Sequence, residues 1–120
     1  MDYSEWIFDS RCPIYIQLYQ KIKYGILCGQ LPPGGSIPSI RQMATLLHIN
    51  TNTVARSYRL ISQDKLIVTP RGRKYSVTFD FVFIQEKRVQ EAKDLCRNYI
   101  LAMQELGFSG KEAQIFIQNY

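Results

Sequence analysis

A chain of 120 residues with 46% hydrophobic and 21% charged residues has room for one small domain, or a compact domain with a short appendage, and lies far from disordered and collagen-like compositions. Its apolar runs are much too short to cross a bilayer, and no basic-then-apolar leader opens it, which predicts a cytoplasmic protein with no membrane partner. The formal charge of +5 is uneven: residues 1–80 hold ten Lys and Arg against five acidic residues, whereas residues 81–120 hold five of each. An excess confined to the first two thirds suits a polyanion, because each phosphate contact releases counterions; a basic surface kept for solubility has the same charge.

In chain order, PIYIQLYQKIKYGILCGQL places Ile14, Leu18, Ile22 and Ile26 on one stripe, widened by Ile16, Tyr19 and Leu27. This spacing predicts an amphipathic helix with Pro13 in its first turn and Gly29 at its end. LPPGG then makes a tight, irregular connection. Ser39 with Gln42 three residues on has the capping-box spacing, and Ile40, Met43, Ala44 and Leu47 repeat at helical intervals. A third helix follows almost at once, capped by Asn50, with Val54, Tyr58 and Ile61 as its apolar face and Ala55 and Leu60 at the margins.

Two helices joined by a three- to four-residue turn form a helix-turn-helix, whose second helix enters the DNA major groove with its first residues on base edges. Asn50, Thr51, Asn52 and Thr53 suit that position, being short, neutral and rich in donors and acceptors, where Asp or Glu would be repelled by phosphates. As plain caps, with Arg56 and Arg59 facing solvent, they would need no DNA; the tandem of helices favours DNA. Residues 66–69 and 75–79 are β-prone and flank Pro70-Arg71-Gly72-Arg73, a hairpin in the place of a wing. Arg71, Arg73 and Lys74 around Gly72 let backbone and cationic groups approach phosphates or a minor groove.

A long helix is expected from about residue 85 to residue 106, ended by Gly107, and another from Ser109 onward, where Glu112 repeats the capping-box spacing. Val89, Ala92, Cys96, Tyr99, Met103 and Leu106 recur at alternating intervals of three and four, a coiled-coil seam broadened by Leu95 and Ile100. Two helices have no third layer to bury that stripe, so its expected partner is a second copy of the chain, the other possibility being the chain's own wing domain. Ile115, Phe116 and Tyr120 could wrap over the partner. So short a tail encloses no large ligand, and any effector would bind at the dimer interface or between tail and wing.

The motifs IYIQLYQKIKYGILCGQLPPGGSIPSIRQMA, INTNTVARSYRLI and DKLIVTPRGRKYSV, in that order over roughly half the chain, resemble the winged-helix domain of the GntR family of bacterial transcription regulators. The NTVARSYR wording, the early first helix and the short tail resemble its YtrA-like subgroup. The resemblance implies a homodimer on a palindromic operator in double-stranded DNA, commonly a repressor of genes for ABC transporters. By position it also implies that Ser39 and Arg41 touch phosphate and groove edge. Asn50, Thr51, Asn52 and Thr53 would line the start of the recognition helix, Arg56 would hold backbone or base one turn later, and Arg71 with Gly72 would form the wing tip. The family usually has glycine where this chain has Lys65, so the helix-to-strand turn must be made without it. A second wing glycine is replaced by Lys74, making the wing less permissive and more basic.

The expected architecture is mainly α with a small β wing: a winged helix-turn-helix DNA-binding domain over residues 1–80 and a two-helix dimerisation tail over residues 81–120. The expected function is a homodimeric, sequence-specific repressor of its own operon or of ABC transporter genes. It would act by occlusion, with Asn50, Thr51, Asn52, Thr53 and Arg56 reading each half-site and Arg71 and Arg73 clamping the flanks. The alternative is a winged helix that binds RNA or an acidic protein without operator preference. An enzyme is not expected, since no nucleophile has a base at plausible spacing and no glycine loop could cradle a phosphate. Neither cofactor nor metal is expected: Cys12, Cys28 and Cys96 are scattered and odd in number, and the single His48 reads as a turn residue.

Overall fold

The computed structural model describes residues 3–69 and 74–120. It comprises a 3-10 turn (Tyr3–Glu5), α1 (Ile14–Leu27), β1 (Ser36–Ile37), α2 (Ile40–Leu47), α3 (Thr51–Gln63), β2 (Ile67–Val68), β3 (Tyr75–Val77), α4 (Phe81–Glu105) and α5 (Gly110–Asn119). The chain is mainly helical with a small antiparallel sheet, and it divides into two compact units, Met1–Ile84 and Gln85–Tyr120. Among the described residues no helix is long and apolar enough to cross a membrane.

The first unit has one core. Leu18, Ile22 and Ile26, one turn apart on α1, meet Met43 and Ala44 of α2, Val54, Tyr58 and Ile61 of α3, Leu66 just before β2, and Ile67 and Val77 from the sheet. Each fully buried large aliphatic side chain contributes about 1.5–3 kcal/mol, so this contiguous cluster is what holds the three helices together. The sheet has the order β1-β3-β2, with Ile37 opposite Tyr75 and Ile67 opposite Val77.

Three features differ from the sequence reading. LPPGG leads straight into a strand: the Gly34 amide donates to the Val77 carbonyl at 2.9 Å and the Val77 amide to the Gly35 carbonyl at 2.8 Å, so β1 joins the expected hairpin as a third strand. Gly34 sits at φ +75 with the Phe79 ring so close that an added Cβ would lie 2.2 Å from it. The N-terminal segment also packs: Tyr3, Trp6 and Phe8 lie against the core, and Gln17 ties it to α1 by donating to the carbonyls of Asp9 and Cys12 and accepting from the Asp9 amide. Finally, α4 begins at Phe81 rather than near residue 85, because the Asp80 carboxylate accepts the Phe83 amide at 3.0 Å and caps the helix earlier.

In the second unit, α4 ends in a turn closed by Gly107 at φ +94, with the Gly107 amide on the Gln104 carbonyl and the Phe108 amide on the Met103 carbonyl. Ser109 and Glu112 form the capping box that starts α5. α5 packs on α4 through Ala113 and through the Tyr99 hydroxyl donating to the Ala113 carbonyl at 2.7 Å, and Phe116 stands edge-on to Phe108 of the connecting turn at 4.9 Å. Between the two helices lies an open apolar cleft of about 460 Å3 that includes Met103, Leu106, Phe116 and Ile117. The tail alone therefore forms a concave apolar surface.

Candidate nucleic-acid interface

The α2–α3 pair is set by its caps and its turn. Ser39 Oγ accepts the Gln42 amide at 3.1 Å while Gln42 Oε1 accepts the Ser39 amide at 3.0 Å. At the other end His48 takes left-handed angles (φ 56, ψ 44), its amide on the Thr45 carbonyl and the Ile49 amide on the Ala44 carbonyl. These paired bonds close the helix in a Schellman turn, and His48 serves that turn. Two residues later Asn50 Oδ1 accepts the Asn52 amide at 2.7 Å and α3 begins.

Capping limits what these residues can offer a ligand. Ser39 and Asn50 spend an acceptor oxygen on a helix start, leaving the serine hydroxyl proton and the asparagine NH2 as donors. Donors, together with the positive end of the helix dipole, are what a phosphate or a base acceptor calls for.

α3 buries Val54, Ser57, Tyr58 and Ile61 and turns Asn52, Arg56 and Arg59 outward at helical intervals. Thr51 and Asn50 are exposed at its start, Thr53 is half-buried, and Arg41 is exposed on α2. Residues 39–63 contain no Asp or Glu. Arg59 shares the outward face but was not among the expected contacts; its spacing of three from Arg56 and seven from Asn52 carries the signal.

Side chains from outside the pair hold this face in place. Ser57 is fully buried, and its hydroxyl lies 2.7 Å from the Tyr15 carbonyl of α1 and 3.2 Å from the Thr53 carbonyl. The Arg56 guanidinium lies 3.8 Å from the centroid of the Tyr15 ring. The Tyr58 hydroxyl donates to the Pro38 carbonyl at 2.7 Å, and its ring stands edge-on to Tyr75 at 4.8 Å. Burial above all, with Tyr3 and Tyr75 nearby, pushes the Tyr58 pKa far above its usual value. At the end of α3 the Tyr19 hydroxyl donates to the Asp64 carboxylate, and burial together with that bond raises the Tyr19 pKa.

The turn out of α3 is closed by Lys65 at φ +62, with its amide on the Ser62 carbonyl and the Leu66 amide on the Ile61 carbonyl. Lysine thus makes the left-handed turn for which glycine was the expected residue, at a cost of about 1 kcal/mol. Lys74 is exposed just before β3 and lines a cleft with Tyr3, Ser36, Ser39 and Gln42. Arg71, Gly72 and Arg73, expected at the wing tip, lie outside the described residues. Of the expected tail seam, Tyr99, Met103 and the largely exposed Leu106 line the cleft beside α5, whereas Val89, Ala92 and Cys96 are exposed away from it.

Residues 14–77, from the first residue of α1 to the last of β3, match the model for bacterial regulatory proteins of the gntR family. The chain belongs to the GntR family. It is 29% identical over 105 residues to the HTH-type transcriptional regulator YhcF of Bacillus subtilis (strain 168), covering 88% of this chain and 87% of that protein. It is 41% identical over 64 residues to the HTH-type transcriptional repressor YtrA of the same organism, covering 53% of this chain and 49% of that protein. A solved GntR family transcriptional regulator from Listeria monocytogenes superimposes with a TM-score of 0.84 at 30% identity, covering 94% of this chain and 99% of that one. These proteins are transcription regulators rather than enzymes, and the present chain is a DNA-binding transcription regulator of the GntR family.

Proposed function

We propose that the protein is a homodimeric repressor that binds a palindromic operator in double-stranded DNA, with residues 1–80 reading DNA and residues 81–120 pairing two copies. The observation that carries this reading is the outward face of α3, where Asn52, Arg56 and Arg59 stand exposed in line within a stretch free of acidic residues. In this reading α3 enters the major groove: Asn50, Thr51, Asn52, Thr53 and Arg56 meet base edges and adjoining phosphates. Ser39 and Arg41 hold the backbone from α2, and Arg71, Gly72 and Arg73 grip the flank. The exposed Val89, Ala92, Cys96 and Leu106, continued by Tyr99 and Met103, supply the face for a second copy, matching a twofold protein to twofold half-sites. Its targets are its own operon or ABC transporter genes in the cytoplasm, and repression is by occlusion. The repressor YtrA, similar over the DNA-binding half, supports that direction of control.

The test is an anisotropy titration of the intergenic DNA upstream of its own gene beside a scrambled duplex, at two salt concentrations. Operator recognition predicts at least about a thousandfold preference for the upstream DNA. Equal, steeply salt-dependent binding to both would reject autoregulation through a specific operator and favour a basic surface for RNA or an acidic partner.

A further inference from the structure

Tyr15 is assigned no part in DNA binding by its position, since it lies in the first turn of α1, outside the helix-turn-helix. Two observations link it to the reading face. The Arg56 guanidinium lies over its ring at 3.8 Å, and the hydroxyl of Ser57, the residue after Arg56, bonds the Tyr15 carbonyl at 2.7 Å. The hydrogen bond locks the backbone under the ring to the backbone under the cation, so the stack is held in register rather than met by chance.

The geometry matters because of what a guanidinium has to spend. Its N–H donors radiate in the plane of the group, while its two faces carry none. Stacking on Tyr15 uses a face and leaves the edge free, and among the described residues no carboxylate pairs with Arg56. A bidentate contact to guanine or phosphate needs that edge presented in a fixed plane. An unsupported arginine loses much rotamer freedom on reaching such a contact; one already stacked has lost part of it before DNA arrives.

We propose that Tyr15 is a positioning residue for DNA recognition, a platform that pre-orients the Arg56 guanidinium and so sharpens base discrimination on a helix it does not belong to. This rests on the reading in which Arg56 contacts DNA, and the test separates the two. The probe is the duplex that the wild-type protein enriches from a random-sequence pool, and binding is followed for Tyr15→Leu, Tyr15→Phe, Arg56→Ala and the double variant Tyr15→Leu/Arg56→Ala, with thermal unfolding of each beside it.

Arg56→Ala should weaken binding about five- to a hundredfold. Tyr15→Leu should weaken it about two- to fivefold in the wild-type background and relax preference at the same base pair as Arg56→Ala. In the Arg56→Ala background Tyr15→Leu should add nothing, because the group it acts through is gone. Tyr15→Phe keeps a ring and should keep the affinity. If Arg56→Ala binds normally, the DNA role of Arg56 fails and the platform with it. Should Arg56→Ala weaken binding while Tyr15→Leu is silent, additive with it, or tighter than wild type, the platform alone is overturned. A loss in Tyr15→Phe equal to that in Tyr15→Leu would assign the effect to the hydroxyl and overturn it as well.

Discussion

The two units of this chain treat their apolar residues in opposite ways. In Met1–Ile84, large aliphatic residues from three helices and a sheet are buried in one cluster, while in Gln85–Tyr120 only Ala113 is buried and Val89, Leu95, Leu101, Leu106, Phe116 and Ile117 are each at least half exposed. Helices with the same kind of periodic stripe thus end differently, because a stripe is buried only where other layers converge on it. The first unit has a third helix and a sheet to close over α1; the second has two helices and one small buried residue, Ala113. A stripe that its own chain leaves bare is the sort of surface that marks an interaction site.

That contrast can be broken or sharpened by substitution. The largest effect is expected for Tyr58→Ala, which empties the core beneath Pro38 and Tyr75 and should lower the unfolding free energy by about 3–5 kcal/mol in urea; a loss under about 1 kcal/mol would mean that the first unit is loosely packed too. Next is alkaline pH. The raised pKa of Tyr58 keeps its hydroxyl protonated in the folded chain, whereas in the unfolded chain it ionises near its ordinary value of 10.0. The unfolded state then binds fewer protons, so stability is intact below pH 10 and falls above it by about 1.4 kcal/mol per pH unit for this group. Unfolding followed from pH 9 to 11 should show that slope, reduced in Tyr58→Phe.

Lys65→Gly acts in the other direction. Relief of the left-handed lysine should raise the urea midpoint by the equivalent of about 0.5–1 kcal/mol, and a lower midpoint would show that the lysine stem contributes more than its backbone costs. The smallest effect on the chain's own stability, under about 0.5 kcal/mol, is expected for Val89→Asp, since Val89 is already 52% exposed. If two copies pair through this stripe as proposed, the same variant should nonetheless sediment as a monomer at concentrations where the wild type sediments as a dimer, and a variant that still sediments as a dimer would move the interface off this stripe.

What the amino-acid sequence revealed in advance was whatever is settled within a few residues. The Ser39–Gln42 and Ser109–Glu112 boxes and the Asn50 cap are local bonds between neighbours, and each forms where its spacing placed it. The stripe of Leu18, Ile22 and Ile26 likewise announced α1 and its buried side. The two-residue β1 did not show, because Ser36–Ile37 is too short for any alternation and becomes a strand only by pairing with β3. Nor did the early start of α4, because the apolar run Phe81–Ile84 has no polar face to mark a helix and the one local signal is the single capping carboxylate of Asp80. The ties from Tyr15 to Ser57 and Arg56, and from Tyr58 to Pro38, join residues far apart in the chain, and no periodicity encodes such meetings. For the candidate site this meant that the exposed face of α3 could be read from its spacing, while the supports that hold it could not.

One contact in the wing unit has a bearing on how relatives of this chain can diverge. Gly34 has no room for a side chain while the Phe79 ring, itself 78% exposed, lies across it. A surface aromatic is ordinarily free to change, and so is much of a loop. Here the two freedoms are coupled, so that Gly34→Ala should be far better tolerated once Phe79 has become small, with only the backbone strain of the left-handed position remaining. Sequence drift at these positions should therefore be ordered in time, the loss of the ring coming before the loss of the glycine.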